Sequence, residues 1–295
     1  MSHDRQRTVG PEAPPDLASA DHVGARDLAV WRTRAGRWAV DRLIDLAGLI
    51  ARITHWSAAH LALVITVLLG GGIVLALNAA AAEVYENVTE GGDLARLDQP
   101  VLETSVALRT PSSEQWATTF TDLGGKVIMP VIAVGLTLVA VWLWRRPTPI
   151  WLMLIATAGS VLTTVTGKEL TGRARPPESL AVPPFESSAS FPSGHTLNAT
   201  VVLGIGAYLL VVGLSSRRAR MLVIVLAGML AIAMGLSRVY LGHHWLTDVM
   251  AGWLLGLAWV ATVITGHRVW VTIRRREEVG GDPSVSPTPA GREAP

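Results

Sequence analysis

Six long apolar segments, separated by shorter polar stretches, dominate the chain between residues 59 and 266. Each approaches the roughly 20 residues that a helix needs to cross a hydrocarbon core of about 30 Å. The pattern therefore predicts an all-α fold, a polytopic membrane protein whose residues 57–267 form a six-transmembrane-helix bundle. The predicted spans are 59–82, 127–144, 150–167, 196–213, 221–236 and 249–266.

The two ends of the chain are more polar than this middle region. Residues 1–37 mix Pro, Asp and Arg without the early apolar core of a signal peptide, which predicts a disordered N-terminal segment. Residues 38–56 place apolar side chains at helical spacing between charged ones, which predicts an amphipathic interfacial helix; a plain extension of the first span fits the same pattern. Residues 268–295 are Arg-rich and then Pro-, Ser- and Gly-rich, which predicts a disordered tail.

Composition agrees with a membrane protein and narrows its chemistry. The chain of 295 residues is 50% hydrophobic and only 16% charged, whereas soluble domains carry about 25% charged residues. It contains no cysteine, which excludes disulfides, thiolate catalysis and cysteine metal sites. The net charge of +2 does not indicate a nucleic-acid partner.

Basic residues outside the spans fall mainly on one side of a six-span arrangement. Because Lys and Arg are enriched in cytoplasmic loops, this side is predicted to face the cytoplasm, in a multi-pass plasma-membrane protein with both termini cytoplasmic. The 83–126 connection then lies outside, and it carries eight acidic residues. The basic residues of the cytoplasmic side are Arg26, Arg32, Arg34, Arg37, Arg42, Arg52, Arg145, Arg146, Arg217, Arg218, Arg220, Arg274, Arg275 and Arg276.

Four basic residues break this rule and lie on the predicted outer face. Lys168, Arg173 and Arg175 follow the third span, and Arg238 follows the fifth. Cations on a face that is otherwise poor in them indicate an anion-binding site. Interfacial anchors whose charged ends reach the water are the plain alternative.

The segment FPSGHT, residues 191–196, reaches the same face at the start of the fourth span. A helix N-terminus offers free N–H groups to an anion, and Gly194 beside Ser193 lets the backbone approach it closely. His195 then lies at the rim of the anion site, where it is placed to donate a proton to a leaving oxygen.

His244 and Asp248, at the entry of the sixth span, are four residues apart and share one helix face. A carboxylate that accepts a hydrogen bond from one ring nitrogen leaves the other nitrogen free as a nucleophile. Two His and one Asp also form metal sites. The neighbouring cations, however, would repel a metal ion and attract a phosphoryl group, so no metal is predicted.

These residues form a three-part pattern that resembles the signature of the type-2 phosphatidic acid phosphatase family of integral-membrane lipid phosphatases. The family pattern is K-x-x-x-x-x-x-R-P, then P-S-G-H, then S-R-x-x-x-x-x-H-x-x-x-D. The chain fills every defining position in order, with Lys168 to Pro176, Pro192 to His195, and Ser237 to Asp248. The motifs cover 168–248, and the six-span plan extends the resemblance over about 59–266.

The resemblance implies a role for each motif residue. His244 would attack phosphorus and become phosphohistidine, Asp248 would orient it, and His195 would protonate the leaving oxygen and then activate water. Lys168, Arg175, Ser193, Gly194 and Arg238 would bind the phosphate. No metal or organic cofactor is implied. His243 does not fit the spacing, which indicates a structural or interfacial role. Arg173 occupies a variable position, where it either contacts a second phosphate or the lipid headgroup, or faces water.

The resemblance also implies a substrate class, a lipid phosphate held at the extracytoplasmic membrane face. The first expectation is undecaprenyl or another polyprenyl diphosphate, and the alternatives are phosphatidic acid and phosphatidylglycerol phosphate. A lipid-phosphate binding or transport protein is the non-enzymatic alternative, although the predicted spans carry almost none of the buried charges that mark a translocation path. The motifs do not specify an oligomeric state.

Overall fold

A computed structural model describes residues 58–280 continuously, together with residues 22–23, 26–27, 42 and 45. Apart from a hairpin of two-residue strands, β1 (His22–Val23) and β2 (Arg26–Asp27), the elements described are helical, which confirms the all-α prediction. The helices are α1 (Ala58–Glu90), α2 (Asp98–Ala107), α3 (Pro111–Asp122), α4 (Ile128–Trp144), α5 (Thr148–Thr171), α6 (Gly194–Gly213), α7 (Arg217–Tyr240) and α8 (Leu246–Gly280), with 3-10 turns at Ala95–Leu97 and Glu178–Leu180.

Five of these helices are long and apolar enough to cross a membrane. They are α1, α5, α6, α7 and α8, and each contains one of the predicted spans. The remaining predicted span, 127–144, corresponds to α4, an apolar helix of 17 residues. That length is at the lower end of the roughly 17–25 residues that spanning helices use, so the sixth span stays a prediction.

The chain ends differ from the sequence prediction where they are described. Helix α8 continues to Gly280, so residues 268–280 are helical rather than disordered, and Val271 on this extension is buried. The hairpin of β1 and β2 lies within the segment predicted to be disordered. The predicted amphipathic helix at 38–56 lies outside the described residues, apart from Arg42 and Asp45.

Helix α6 is the most buried of the membrane-length helices, and α4, α5, α7 and α8 pack around it. Helix α1 packs along α8 and leaves most of its apolar surface exposed. Helices α5 and α8 approach closely because Gly159 leaves room for the Trp259 ring; a Cβ at Gly159 would lie 2.1 Å from that ring. The Trp259 indole then donates a hydrogen bond to the Ala156 carbonyl at 2.9 Å.

A pair of short helices within the 83–126 connection covers one end of the bundle. We call α2 and α3, residues 98–122, the cap. Thr110 is the N-cap of α3. Its side chain accepts a hydrogen bond from the Ser113 N–H, and the Ser113 hydroxyl accepts one from the Thr110 N–H. Pro111 at the first helical position adds a second start signal.

Arg109, between the two cap helices, fastens the cap to the bundle. Its Nε donates to the Tyr240 carbonyl at 2.7 Å, and its Nη1 donates to the Leu180 carbonyl at 2.6 Å. The Ser113 and Tyr240 hydroxyls are 2.6 Å apart and reinforce the same contact. The cap is thereby attached to the end of α7, within the third sequence motif, and to the α5–α6 connection.

Replacing Arg109 with alanine is expected to destabilise the protein. Two hydrogen bonds from a charged donor are lost and two carbonyl groups are left without a partner, so the free energy of unfolding should fall by about 2 kcal/mol. Thermal unfolding of the detergent-solubilised protein measures the change. Arg96→Ala is the matched control, because Arg96 forms a solvent-exposed ion pair with Asp93. Such pairs contribute less than about 1 kcal/mol to the free energy of unfolding. Equal shifts for the two variants would contradict the role of Arg109.

Candidate active site

All eight residues predicted for the site meet at the end of the bundle that the cap covers. Lys168 lies in the last turn of α5, and Ser193 to His195 lie at the start of α6. Arg238 lies near the end of α7, and Asp248 lies in the first turn of α8. The Ser193 N–H donates to the Asp248 carbonyl at 3.0 Å and thereby ties two motifs together through the backbone. The turn before His244 needs Gly242, which has a φ of +73° and lies against the Leu180 carbonyl.

His244 and Asp248 form the predicted pair and are almost completely buried. The Nδ1 atom of His244 is 3.4 Å from Oδ2 of Asp248, which also accepts a hydrogen bond from the Trp245 N–H at 2.9 Å. Burial lowers the pKa of His244 to about 4, against the raising effect of its hydrogen bond to Asp248. The imidazole is therefore neutral near pH 7, as a nitrogen nucleophile must be.

The other ring nitrogen of His244 faces a guanidinium. Nη1 of Arg175 lies 3.2 Å from Nε2 of His244. A guanidinium offers only donors, so this contact requires Nε2 to carry the lone pair and Nδ1 to carry the proton. This is an inferred tautomer, and it directs the nucleophilic lone pair toward the cations.

Asp248 has partners that the sequence did not indicate. Its carboxylate accepts hydrogen bonds from the Ser190 hydroxyl and from Nη1 of Arg173. The Nη2 of Arg173 in turn donates to the buried Asp98 carboxylate of the cap at 2.7 Å, and Asp98 also accepts from the Thr247 N–H at 2.9 Å. Arg173 thus links Asp248 to the cap.

Three cations besides Arg173 lie around the pair, namely Lys168, Arg175 and Arg238. Arg175 donates to the carbonyls of His243 and Ser188 at 2.6 and 2.7 Å, and Lys168 donates to the Ala189 carbonyl. Arg238 is 2% exposed. Within the part of the chain that the structure describes, its Nε has no hydrogen-bond partner, so a buried charged group keeps one donor unused.

A carboxylate that no motif contains lies among these cations. Glu186 accepts hydrogen bonds from Arg238 through Oε1 and from Arg175 through Oε2, the latter at 2.8 Å. Its Oε1 is also 4.0 Å from Nδ1 of His195. Burial alone would raise the pKa of Glu186, but the facing Arg238 and Arg175 guanidinium groups lower it to about 2. An anionic group therefore already occupies part of the cationic site.

Ser193, Gly194 and His195 form the N-terminal turn of α6. Ser193 is fully buried, and its Oγ accepts a hydrogen bond from the Thr196 hydroxyl at 2.9 Å. A Cβ at Gly194 would lie 2.9 Å from a Thr164 methyl, so a larger residue would require the Thr164 side chain to move. His243 points away from the pair, because its Nε2 contacts the Val182 carbonyl at 2.6 Å, in agreement with a structural role.

A cavity of about 1150 Å³ begins at this site and extends between α4, α5 and α6. Its volume exceeds the roughly 300–1,000 Å³ of ordinary small-molecule pockets. Lys168, His195 and Arg238 line the polar end. The remaining wall is mostly apolar and includes Met129, Ala133, Val134, Met153, Leu154, Val161 and Val202.

Comparison with known proteins gives one consistent result. The sequence profile of the PAP2 superfamily matches residues 149–271. The chain is 35% identical over 181 residues to phosphatidylglycerophosphatase B of Bacillus subtilis strain 168, an alignment that covers 60% of this chain and 84% of the relative. It is also similar to the crystal structure of a transmembrane PAP2-type phosphatidylglycerolphosphate phosphatase from Bacillus subtilis. The TM-score is 0.57 at 29% identity, over 67% of this chain and 94% of the other. On the motifs, their convergence and these matches, the chain belongs to the PAP2 superfamily and is a membrane lipid phosphatase.

Proposed function

We propose that the protein hydrolyses the terminal phosphomonoester of a glycerophospholipid, with phosphatidylglycerol phosphate as the first candidate. The observation that carries this proposal is a neutral His244, held by Asp248 beside three cations, at the polar end of a large apolar cavity. The Bacillus relatives named for activity on phosphatidylglycerol phosphate support the choice of headgroup.

The reaction follows from the placement of the two imidazoles. The Nε2 lone pair of His244 attacks phosphorus, and the bond to the leaving oxygen breaks while His195 gives that oxygen a proton. Asp248 stabilises the positive charge that develops on the His244 ring. In the second half-reaction His195 removes a proton from water and the water oxygen attacks phosphorus. The bond from phosphorus to Nε2 of His244 breaks, its electron pair returns to that nitrogen, and inorganic phosphate leaves.

The cations supply the electrostatic stabilisation. Lys168, Arg175 and Arg238 surround the position where charge spreads over the phosphoryl oxygens, and the unused Nε of Arg238 offers a further donor. This positive group supports a mechanism without a metal ion, since its members would repel a divalent cation. Phosphate and Glu186 repel each other, so substrate binding requires the Glu186 carboxylate to exchange its partners.

The cavity supports a lipid substrate. Its apolar wall is continuous with the membrane-length helix α5 and with α4, so a hydrocarbon tail can remain among apolar side chains while its phosphate contacts Lys168 and Arg238. Polyprenyl diphosphate, the first expectation from sequence, and phosphatidic acid are the competing substrates. A lipid-phosphate binding or transport role is the non-enzymatic alternative, in which these residues bind the lipid phosphate without hydrolysing it.

A substrate panel is expected to rank phosphatidylglycerol phosphate first. Phosphate release is measured in matched mixed micelles for phosphatidylglycerol phosphate, phosphatidic acid, polyprenyl diphosphate and polyprenyl monophosphate. His244→Ala is the blank, and His267→Gln is the control for loss of a buried imidazole away from the site. A polyprenyl diphosphate preference would replace the proposed substrate. Release from none of the lipids would favour the binding or transport alternative.

A phosphorylated enzyme is expected to accumulate when His195 is replaced. p-Nitrophenyl phosphate has a leaving group that needs no protonation, so His195→Ala should still be phosphorylated but should lose the base that activates water. Intact-mass spectrometry should then show one added phosphoryl group that is labile in acid.

With chelator present throughout, His244→Ala and Asp248→Asn should show no added phosphoryl group, and their rates of phosphate release should fall at least about a hundredfold. An adduct in His244→Ala, or activity that returns only with added metal, would refute the mechanism.

We also propose that the site faces the extracytoplasmic side of the plasma membrane, with both termini cytoplasmic. The arginines of the α4–α5 and α6–α7 connections support this orientation, because connectivity puts them at the end of the bundle opposite the site.

Single cysteines report the orientation, because the chain contains none of its own. Ser179 and Ser216 are both exposed, one beside the site and the other at the start of α7. In intact cells an impermeant thiol reagent is expected to label Ser179→Cys and to spare Ser216→Cys until the membrane is opened. The reverse labelling pattern would invert the proposed orientation.

A further inference from the structure

Asn198 lines the large cavity one helical turn beyond His195. Residues three apart on a helix are neighbours on its surface, so the Asn198 amide lies next to the imidazole that serves the leaving oxygen. When the leaving oxygen of a bound substrate lies at His195, the substrate atoms nearest Asn198 are those attached just beyond that oxygen. Asn198 is half-buried and belongs to none of the sequence motifs.

The amide of Asn198 has one of its two ends occupied. Its Oδ1 accepts a hydrogen bond from the hydroxyl of Ser160, which is 1% exposed and lies on α5. Among the residues that the structure describes, Nδ2 has no hydrogen-bond partner. In this orientation, which is an assigned one, the Ser160 contact uses the Oδ1 end of the amide and leaves the N–H groups as its uncommitted end.

The other hydroxyl groups on this part of the wall have no donor to spare. Thr137, Thr157 and Thr164 each donate to a backbone carbonyl of their own helix, at 2.7, 2.8 and 2.9 Å. Of the cations that line the cavity, Lys126 precedes α4 and Arg238 lies on α7. Lys168 lies in the last turn of α5 and donates to the Ala189 carbonyl. Within the described α4, α5 and α6 wall, Asn198 is thus, besides His195, a neutral side chain with a free N–H donor.

We propose that Asn198 is a specificity-determining residue, which donates a hydrogen bond through Nδ2 to an oxygen of the leaving group. The inference rests on the proposed function, in which that group is a glycerol derivative. A glycerophospholipid carries hydroxyl, ester or phosphodiester oxygens a few bonds beyond the leaving oxygen. A polyprenyl monophosphate carries only hydrocarbon there, so Asn198 favours the first class and gains nothing from the second.

The test compares two substrates on one preparation of each variant. Asn198→Leu keeps the branched shape and removes the donor. Its kcat/KM for phosphatidylglycerol phosphate should fall about tenfold, equivalent to about 1.4 kcal/mol, and its kcat/KM for polyprenyl monophosphate should stay within about twofold of wild type. The ratio of the two values does not depend on the folded fraction. Thr157→Val, which removes a hydroxyl already bonded within α5, should leave the ratio unchanged.

Asn198→Asp provides a second variant if the leucine protein is not recovered, since it keeps the acceptor for Ser160 and lacks the N–H donors. It should shift the same ratio in the same direction. Equal losses on both substrates, or no loss on either, would overturn the role of Asn198. The wild-type substrate panel tests the proposed function separately. A wild-type preference for a polyprenyl substrate would refute that function, while the change in the ratio of the two kcat/KM values in the variants would still report on Asn198. A wild type that hydrolyses neither glycerophospholipid would overturn both.

Discussion

The active-site end of the bundle depends on the burial of one carboxylate, that of Asp248. It is fully buried and interacts with His244, Trp245, Ser190 and Arg173, which come from three separate stretches of the chain. A charge so far from water is tolerable only when its partners are in place, and removal of one partner from a buried ion pair costs about 3–5 kcal/mol. The geometry of the nucleophile is therefore coupled to the assembly of this whole end of the protein.

The coupling extends beyond the motifs to the cap. Arg173 joins Asp248 to Asp98, and Arg109 joins the cap to the carbonyls of Tyr240 and Leu180. Helices α2 and α3 thus do more than connect α1 to α4: they complete the hydrogen bonds of the segment that carries His244. The apolar bundle, through contacts such as Trp259 on Gly159, holds the helix ends that bring the remaining site residues together.

The sequence was most informative where the determinant is local. Apolar length predicted the membrane helices because each span satisfies its own backbone hydrogen bonds, and the spacing of His244 and Asp248 predicted their contact because helix geometry fixes it. Glu186, Ser190 and Asp98 could not be found in this way, since they reach the site through irregular segments or from another helix pair. Asp98 was one of eight acidic residues in the 83–126 stretch, and nothing local distinguished it. The Arg-rich 268–280 segment is predicted to be disordered because of its charge, but the helix continues through it, with the apolar side chain of Val271 buried.

The cavity between α4, α5 and α6 has a consequence for how the enzyme meets its substrate. Under the proposed function, the lipid keeps its tail among apolar side chains throughout the reaction, so it reaches His244 by lateral diffusion within the bilayer. The quantity that sets the rate is then the mole fraction of substrate among the surrounding lipids, not its amount per volume of water. Added inert lipid would slow turnover by diluting the surface, even at constant total substrate, and the membrane composition itself becomes a kinetic variable.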